Sequence, residues 1–257
     1  MLKKLGYFIL TGLLPCCPAA AQDLERMETD RPDQTECPFI VPKKKWIQAE
    51  MGFNYEKTSP TLNTFIYPTL LTKYGLSQKL ELRLITTLLS EREHRIPGPV
   101  TNAGLEPVEI GCKAALLEEK GFRPKTSLIA HIAIPALSSE KFKPDKFAPN
   151  FVFTMQHTIS STMAIGYNLG AAWDGFSNSP AWIYRLSPGF NLGTRFYAYI
   201  EAFGFIQKNE TANHNIDGGV AYYFNNDIKL DLSAGKRLSA TSINYYIALG
   251  ASFRFKL

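Results

Sequence analysis

The last fifteen residues of the chain, 243–257, alternate between apolar and small or polar side chains. Every second residue from Ile243 to Leu257 is apolar, and Asn244, Ser252 and Arg254 lie at intervening positions. A period of two predicts a β-strand, and this one exceeds the five or six residues usual in a soluble sheet. Its length suits a strand that crosses a bilayer obliquely. An edge strand of a soluble sandwich is the alternative.

The same alternation begins at Trp46 and continues through most of the chain. Pro68 weakens the second candidate, because proline cannot donate to a sheet ladder. The pattern predicts about twelve strands, at 46–56, 63–74, 79–89, 106–117, 125–136, 149–158, 162–173, 181–192, 194–206, 214–224, 227–237 and 243–257.

Short and long connections alternate between these strands, which favours a barrel over a sandwich. The short turns are expected at 75–78, 160–161, 193 and 225–226, with 118–124 of intermediate length. The long connections are expected at 91–104, 138–148, 174–180, 208–213 and 238–242. Outer-membrane barrels have short periplasmic turns and longer extracellular loops. We therefore predict an all-β fold, an antiparallel up-and-down transmembrane β-barrel of about twelve strands.

The amino end predicts two segments before the barrel. Residues 1–21 combine Lys3 and Lys4, an apolar run and an Ala-Ala-Ala site, the layout of a cleaved signal peptide. Residues 22–44 carry three prolines and clustered charge, which predicts an extended periplasmic leader or a lumen plug. The barrel itself is expected over 45–257, in the bacterial outer membrane.

Charge and cysteine content exclude several function classes. The net charge is +5, and removing Lys3 and Lys4 leaves 26 basic residues against 23 acids. A balance this mild, with no basic stripe, gives no reason to expect a nucleic-acid partner. Only Cys37 and Cys112 follow the predicted signal, so we expect no disulfide framework, metal or cofactor.

Under this strand register, charged residues of both signs face the lumen. They either fill the barrel with mutual ion pairs or line a polar path for a small solute. The candidates for a solute path are Glu50, Arg83, Arg185, Glu201, Asp231 and Arg254.

A catalytic role is not expected. The chain has four histidines, of which His131 points inward without a serine signature at matching depth. No Gly-x-Ser-x-Gly, His-Glu-x-x-His or phosphate-loop motif occurs.

The leader motif Thr29-Asp30-Arg31-Pro32-Asp33, followed by Val41-Pro42-Lys43 and Trp46-Ile47-Gln48-Ala49-Glu50, resembles the outer-membrane transporter-like family named for the meta-pathway of phenol degradation. Later fragments such as Gly166-Tyr167-Asn168 resemble its strands. The resemblance implies a barrel that passes small molecules, hydrophobic or aromatic ones among them. Its partners would be outer-membrane lipid, the solute and the barrel-assembly machinery. One departure is the terminal Leu257, where an aromatic residue is usual.

We therefore expect an outer-membrane transporter or channel for small molecules. The alternative is a non-conducting structural or adhesion barrel whose lumen is closed by its own ion pairs. A barrel enzyme is the third and weakest hypothesis.

Overall fold

The computed structural model describes residues 26–41, 44–238 and 244–257. The predicted signal peptide, 1–21, lies outside the described residues. Within the described part, no helix is long and apolar enough to cross a membrane. The helical residues found there form two single 3₁₀ turns, Pro135–Leu137 and Glu140–Phe142.

Thirteen antiparallel strand segments in the described residues form one closed sheet. They are β1 (Trp46–Lys57), β2 (Leu62–Ser77), β3 (Leu80–Glu93), β4 (Val100–Leu105), β5 (Val108–Leu117), β6 (Lys125–Ile134), β7 (Ala148–Thr158), β8 (Met163–Ala172), β9 (Ala181–Leu192), β10 (Phe196–Gln207), β11 (Asn213–Asn225), β12 (Ile228–Arg237) and β13 (Tyr245–Lys256).

Segments β4 and β5 are two parts of one barrel strand. Both pair with β3: β4 lies along its second half, Leu88–Glu93, and β5 lies along its first half, Leu80–Ile85. Glu106 and Pro107 separate them, and the Glu106 N–H still donates to the Thr87 carbonyl at 2.9 Å. The described residues therefore form a barrel of twelve strands, as the alternation predicts.

The last strand closes the barrel by pairing with the first. In this antiparallel ladder Trp46 lies opposite Lys256, and Lys57 lies opposite Tyr245. Within the described residues, closure leaves neither of these two strands with a free edge, so the backbone groups of the wall find partners inside the sheet.

The polarity of the wall is the reverse of that of a soluble protein, with polar side chains inside and apolar side chains outside. Glu50, Glu81 and Lys113 point into the lumen and are 1 % exposed or less, whereas Leu249 and Ile200 point outward and are more than half exposed. An apolar outer band around a polar interior is the pattern of a barrel in lipid. The prediction of an antiparallel transmembrane barrel is confirmed.

One of the predicted connections is wrong. The long connection expected at 91–104 spans only residues 94–99, because β3 continues to Glu93 and β4 begins at Val100. This upper hairpin has polar residues on both faces, so it shows no apolar alternation in the sequence. On the same side, the connection between β1 and β2 has only the four residues 58–61.

Pro68 lies inside β2 without ending it. The register between β2 and β3 shifts between Ile66 and Thr69, so the ladder does not require an N–H from the proline. The strand reaches sixteen residues in consequence.

Candidate functional site

Residues 26–41, which we call the leader, run inside the barrel. At one end the Met27 N–H donates to the Asn226 carbonyl at 2.9 Å. At the other end the Val41 N–H donates to Glu81 Oε2 at 2.8 Å, shortly before β1 begins. Asn226 lies in a short turn, at the end of the barrel that is periplasmic in outer-membrane proteins. The leader therefore enters and leaves through the periplasmic end.

Asp30 is the centre of the leader's contacts with the wall. Its carboxylate lies 2.6 Å from Lys73 Nζ, 2.9 Å from Arg83 Nη1 and 3.0 Å from Lys113 Nζ. Burial by itself would raise the pKa of Asp30, but the three cations together hold it well below its usual range. Asp30 is therefore a carboxylate that joins three strands of the wall to the leader.

Two wall carboxylates complete this buried network. Glu50 Oε1 lies 2.5 Å from Lys73 Nζ, and Glu81 Oε1 lies 3.0 Å from Arg83 Nη1. Glu50 also accepts the Asp30 backbone N–H at 2.9 Å. Buried charges are tolerated when each has a partner of opposite sign, and here the leader supplies one of the carboxylates.

A second ion pair holds the next residue of the leader. Arg31 Nη2 lies 3.0 Å from Asp231 Oδ1 on β12. Lys229, one step along the same inward face, donates to the Arg31 carbonyl and to the Thr29 hydroxyl. The Tyr199 hydroxyl donates to the Pro32 carbonyl at 3.3 Å.

The leader turns against β8, β9 and β10. Glu201 accepts the Gln34 N–H at 2.7 Å and the Thr35 hydroxyl. The Glu36 N–H donates to Asn168 Oδ1 at 2.8 Å, and the Glu36 carboxylate lies 3.4 Å from Arg185 Nη1. These contacts hold the turn of the leader across the lumen.

Asp33 lies beside the acids Glu201 and Asp217, and no cation among the described residues forms a salt bridge with it. Ser187 Oγ donates to Asp33 Oδ2 at 3.2 Å, and the Tyr197 hydroxyl lies 3.5 Å from the same oxygen. Burial, together with the nearby Glu201 carboxylate, raises the pKa of Asp33 to about 8. Asp33 thus differs from Asp30 in holding a proton near neutral pH.

All six residues predicted to line a solute path face the lumen. Five of them contact the leader: Glu50, Arg83, Arg185, Glu201 and Asp231. Arg254 pairs with Asp227 at 2.8 Å near the periplasmic rim, with its guanidinium 5.6 Å from the Trp46 ring. Whether any of them touches a solute stays a prediction.

Lys73 is a member of the network that sequence reasoning missed. It lies between Thr72 and Tyr74 on a strand whose register is shifted near Pro68, so its inward orientation was obscured. The sequence did contain a signal, because Lys73 is two residues from Leu71 and therefore lies on the same face of the strand. Both side chains are buried.

Two cavities lie along the same part of the wall, and the leader lines one of them. The outer one, about 520 Å³, opens at the extracellular mouth and includes Ala181, Phe205, Gln207 and Arg237 in its lining. The inner one, about 100 Å³, lies between the leader and small wall residues such as Gly166 and Gly189.

Apolar side chains continue inward from the outer cavity. Ile129, Val152 and Ile183 form a buried cluster inside the barrel, and Phe205 packs against it. On β9 the inward positions run from Ile183 to Arg185 and then to Ser187 and Gly189, next to the inner cavity. Arg185 and its partner Glu36 therefore lie between the apolar cluster and the inner cavity.

Comparison with known proteins supports this architecture. The family model described as "Putative MetA-pathway of phenol degradation" matches residues 29–255. No curated protein sequence gives a significant match. A solved outer membrane channel from Pseudomonas putida F1 is similar, with a TM-score of 0.63 and 12% identity over 84% of this chain and 98% of that one.

Two porins have the same fold at lower similarity. The NanC porin gives a TM-score of 0.55 at 9% identity, covering 80% of this chain and 98% of its own. The KdgM porin, solved with oligogalacturonate, gives 0.52 at 7% identity, covering 80% and 99%. The chain thus has the barrel architecture of outer-membrane channels and porins.

Proposed function

We propose that the chain, which belongs to the family described as the putative MetA-pathway of phenol degradation, is a channel for small molecules across the bacterial outer membrane. The leader is its plug. The observation that carries this proposal is a pair of cavities along one stretch of wall, one at the extracellular mouth and one between the leader and the wall.

The part of this path just below the mouth suits hydrophobic or aromatic solutes. A solute entering at the mouth meets Phe205 and then the cluster of Ile129, Val152 and Ile183. Pockets for small molecules are lined mainly by apolar side chains with a few polar groups that fix orientation. Here the mouth itself is mostly polar, lined by Gln207, Glu210, Thr211, Asn213 and Arg237, and the apolar lining begins at Phe205.

The Arg185–Glu36 pair is the proposed barrier between the two halves. Its members come from the wall and from the leader, so withdrawing the leader separates them. Withdrawal also frees the wall residues Lys73, Arg83 and Lys113 from Asp30. A buried cation without its carboxylate partner is energetically costly, and water in the lumen lowers that cost. We therefore propose that an opened barrel is hydrated along its charged wall.

We assign the barrel no catalytic role. His131, which faces inward, accepts a hydrogen bond from Arg83 Nε at 2.9 Å and is thereby committed to the wall network. Two of the other histidines, His157 and His214, contact tyrosines on the outward face.

The test is single-channel recording of the refolded protein with and without residues 22–44. We expect few openings from the intact protein and discrete, larger openings from the shortened one. Adding benzoate should interrupt the current of the shortened protein, and acetate at the same concentration should not. Ile183→Ser should weaken the benzoate effect, whereas Ile165→Ser, on the outward face, should leave it unchanged.

Silence from both forms, with gel mobility showing a folded barrel, would support the alternative of a non-conducting barrel. Openings that benzoate and acetate affect equally would support the proposal of a channel and contradict the proposal of an apolar path.

A further inference from the structure

Charged residues on the outward face of the wall are confined to one place. In the strands that the structure describes, successive side chains alternate between lumen and lipid, and register partners share a face. Of the outward positions in those strands, the ones occupied by Lys, Arg, Asp or Glu are Lys57 on β1, Arg92 on β3 and Lys236 on β12.

These three cations lie in a single register row. Lys236 is opposite Tyr245, Tyr245 is opposite Lys57, Lys57 is opposite Asn63, and Asn63 is opposite Arg92. Each cation is therefore two strands from the next, about 10 Å along the sheet. A tyrosine hydroxyl and an amide, both able to bond to polar groups, lie between them. We call this row the basic row.

The basic row follows the extracellular ends of its strands. Lys57 is the last residue of β1, and Arg92 and Lys236 are each one residue from the end of their strands. Below it on the same face, the Tyr55 ring lies 5.0 Å from Phe65 and 6.2 Å from Tyr245. Aromatic rings of this kind mark the boundary between headgroups and acyl chains.

The cations of the basic row have no acid bound to them within the described part of the chain, where the ion pairs involve other residues. Arg92 and Lys236 are exposed, and Lys57 is half-buried. A side chain at a lipid boundary can extend its charge into water, but three cations concentrated on one side of the barrel produce a local positive field.

We propose that the basic row binds the phosphate groups of a phosphorylated glycolipid in the outer leaflet of the membrane. Clustered Lys and Arg at a membrane surface attract anionic headgroups, and the guanidinium of Arg92 matches phosphate oxygens with two parallel donors. Asn63 and Tyr245 face the sugar hydroxyls between the phosphates. Tyr55 and Phe65 contact the first methylenes of the acyl chains.

The site is on the outside of the wall and is independent of the plug and the solute path. It would orient the barrel in the outer leaflet on the side formed by β12, β13, β1, β2 and β3.

The experiment measures binding of lipid A to the full refolded chain in neutral detergent by native mass spectrometry. The probes are diphosphorylated lipid A, dephosphorylated lipid A and phosphatidylglycerol. The test variant is Lys57→Gln/Arg92→Gln/Lys236→Gln. The control is Lys44→Gln/Lys79→Gln/Lys120→Gln, which removes three exposed cations at the periplasmic end and makes the same change in net charge.

We expect the test variant to bind diphosphorylated lipid A roughly tenfold or more weakly than the wild type at low salt, and the control to bind normally. Dephosphorylated lipid A should bind both variants and the wild type equally weakly. Should the triple variant fail to fold, as judged by heat-dependent gel mobility, the single change Lys236→Gln is measured instead, with a severalfold loss expected.

Equal losses in test and control variants would overturn the proposal, since they would indicate a general effect of net charge. Phosphatidylglycerol binding that matches lipid A and falls equally in the test variant would overturn it as well, because the row would then select anions without the glycolipid.

Discussion

Arg31 Nη2 lies 3.0 Å from Asp231 Oδ1, and the guanidinium that makes this pair fills the space above two facing glycines. Gly52 and Gly250 are register partners on β1 and β13. A Cβ on Gly52 would lie 2.2 Å from Arg31 Nη1, and one on Gly250 would lie 2.4 Å from Nε. Docking of the leader therefore depends on two wall positions without side chains.

Substituting Gly52 by alanine should loosen the leader without breaking the wall. The nearest obstacle is the end of a flexible arginine side chain, so the guanidinium moves away and its distance from Asp231 increases. We expect several times more channel openings in planar bilayers. Gly98→Ala, where no described atom lies within 4 Å of the new Cβ, is the control and should behave like the wild type. Unchanged gating in Gly52→Ala would show that the glycines do not control docking.

Reversing the charge of either partner should release the leader. Arg31→Asp and Asp231→Arg each place like charges together, and the double variant restores an opposite pair. The readout is alkylation of Cys37 in a chain carrying Cys112→Ala. Burial raises the pKa of the Cys37 thiol, so it should react slowly while the leader is docked. We expect each single variant to react at least tenfold faster than the wild type, a rough estimate from the loss of a buried pair, and the double variant to react more slowly than either. Additive effects in the double variant would argue against the pairing.

Asp30→Asn should free the leader and leave the barrel folded. The substitution removes the carboxylate that Lys73, Arg83 and Lys113 share, while Glu50 and Glu81 remain. Breaking a buried pair costs about 3 to 5 kcal/mol, and here release of the leader with entry of water relieves that cost. Limited proteolysis should cut the leader, with heat-dependent gel mobility retained. The control is Asp145→Asn, at an exposed loop acid. A leader as resistant as in the wild type would contradict the central role of Asp30.

Docking of the leader should weaken as pH rises from 6 to 8, because of Asp33. Its pKa in the docked leader is raised to about 8 from an ordinary value of 3.8, by burial and the nearby Glu201. The docked state therefore holds the proton more tightly than the released state. Protonation of Asp33 stabilises docking at low pH, and this stabilisation is lost as the pH increases toward 8. Lys229, Ser187 and Tyr197 are the other groups around this carboxylate.

The measurement is open probability at pH 6, 7, 8 and 9. We expect the ratio of open to closed time to rise by up to about tenfold per pH unit between 6 and 8 and to level off above 8. Asp33→Asn should remove most of this dependence, while Asp145→Asn should keep it. An open probability that falls with rising pH in the wild type would exclude Asp33 as its cause.

Much of the wall was determined by the sequence alone. The alternation in residues such as Leu80 to Leu84 and Tyr245 to Lys256 predicts strands, because each side chain faces either lipid or lumen and the two solvents select different residues. The same parity correctly places Glu50, Arg83 and Asp231 inside. The hairpin around 94–99 escaped prediction because it lies above the lipid, where both faces are polar and no period appears.

The leader's position inside the barrel was decided only by the tertiary structure. A segment such as Thr29 to Asp33 has no periodicity, and its sequence is equally compatible with a free periplasmic arm. Its place depends on Lys73, Arg83 and Lys113, which lie far apart in the chain and meet Asp30 only after the barrel closes. Charge pairing in a buried lumen depends on distances across the barrel, and the local pattern of a strand carries no information about those distances.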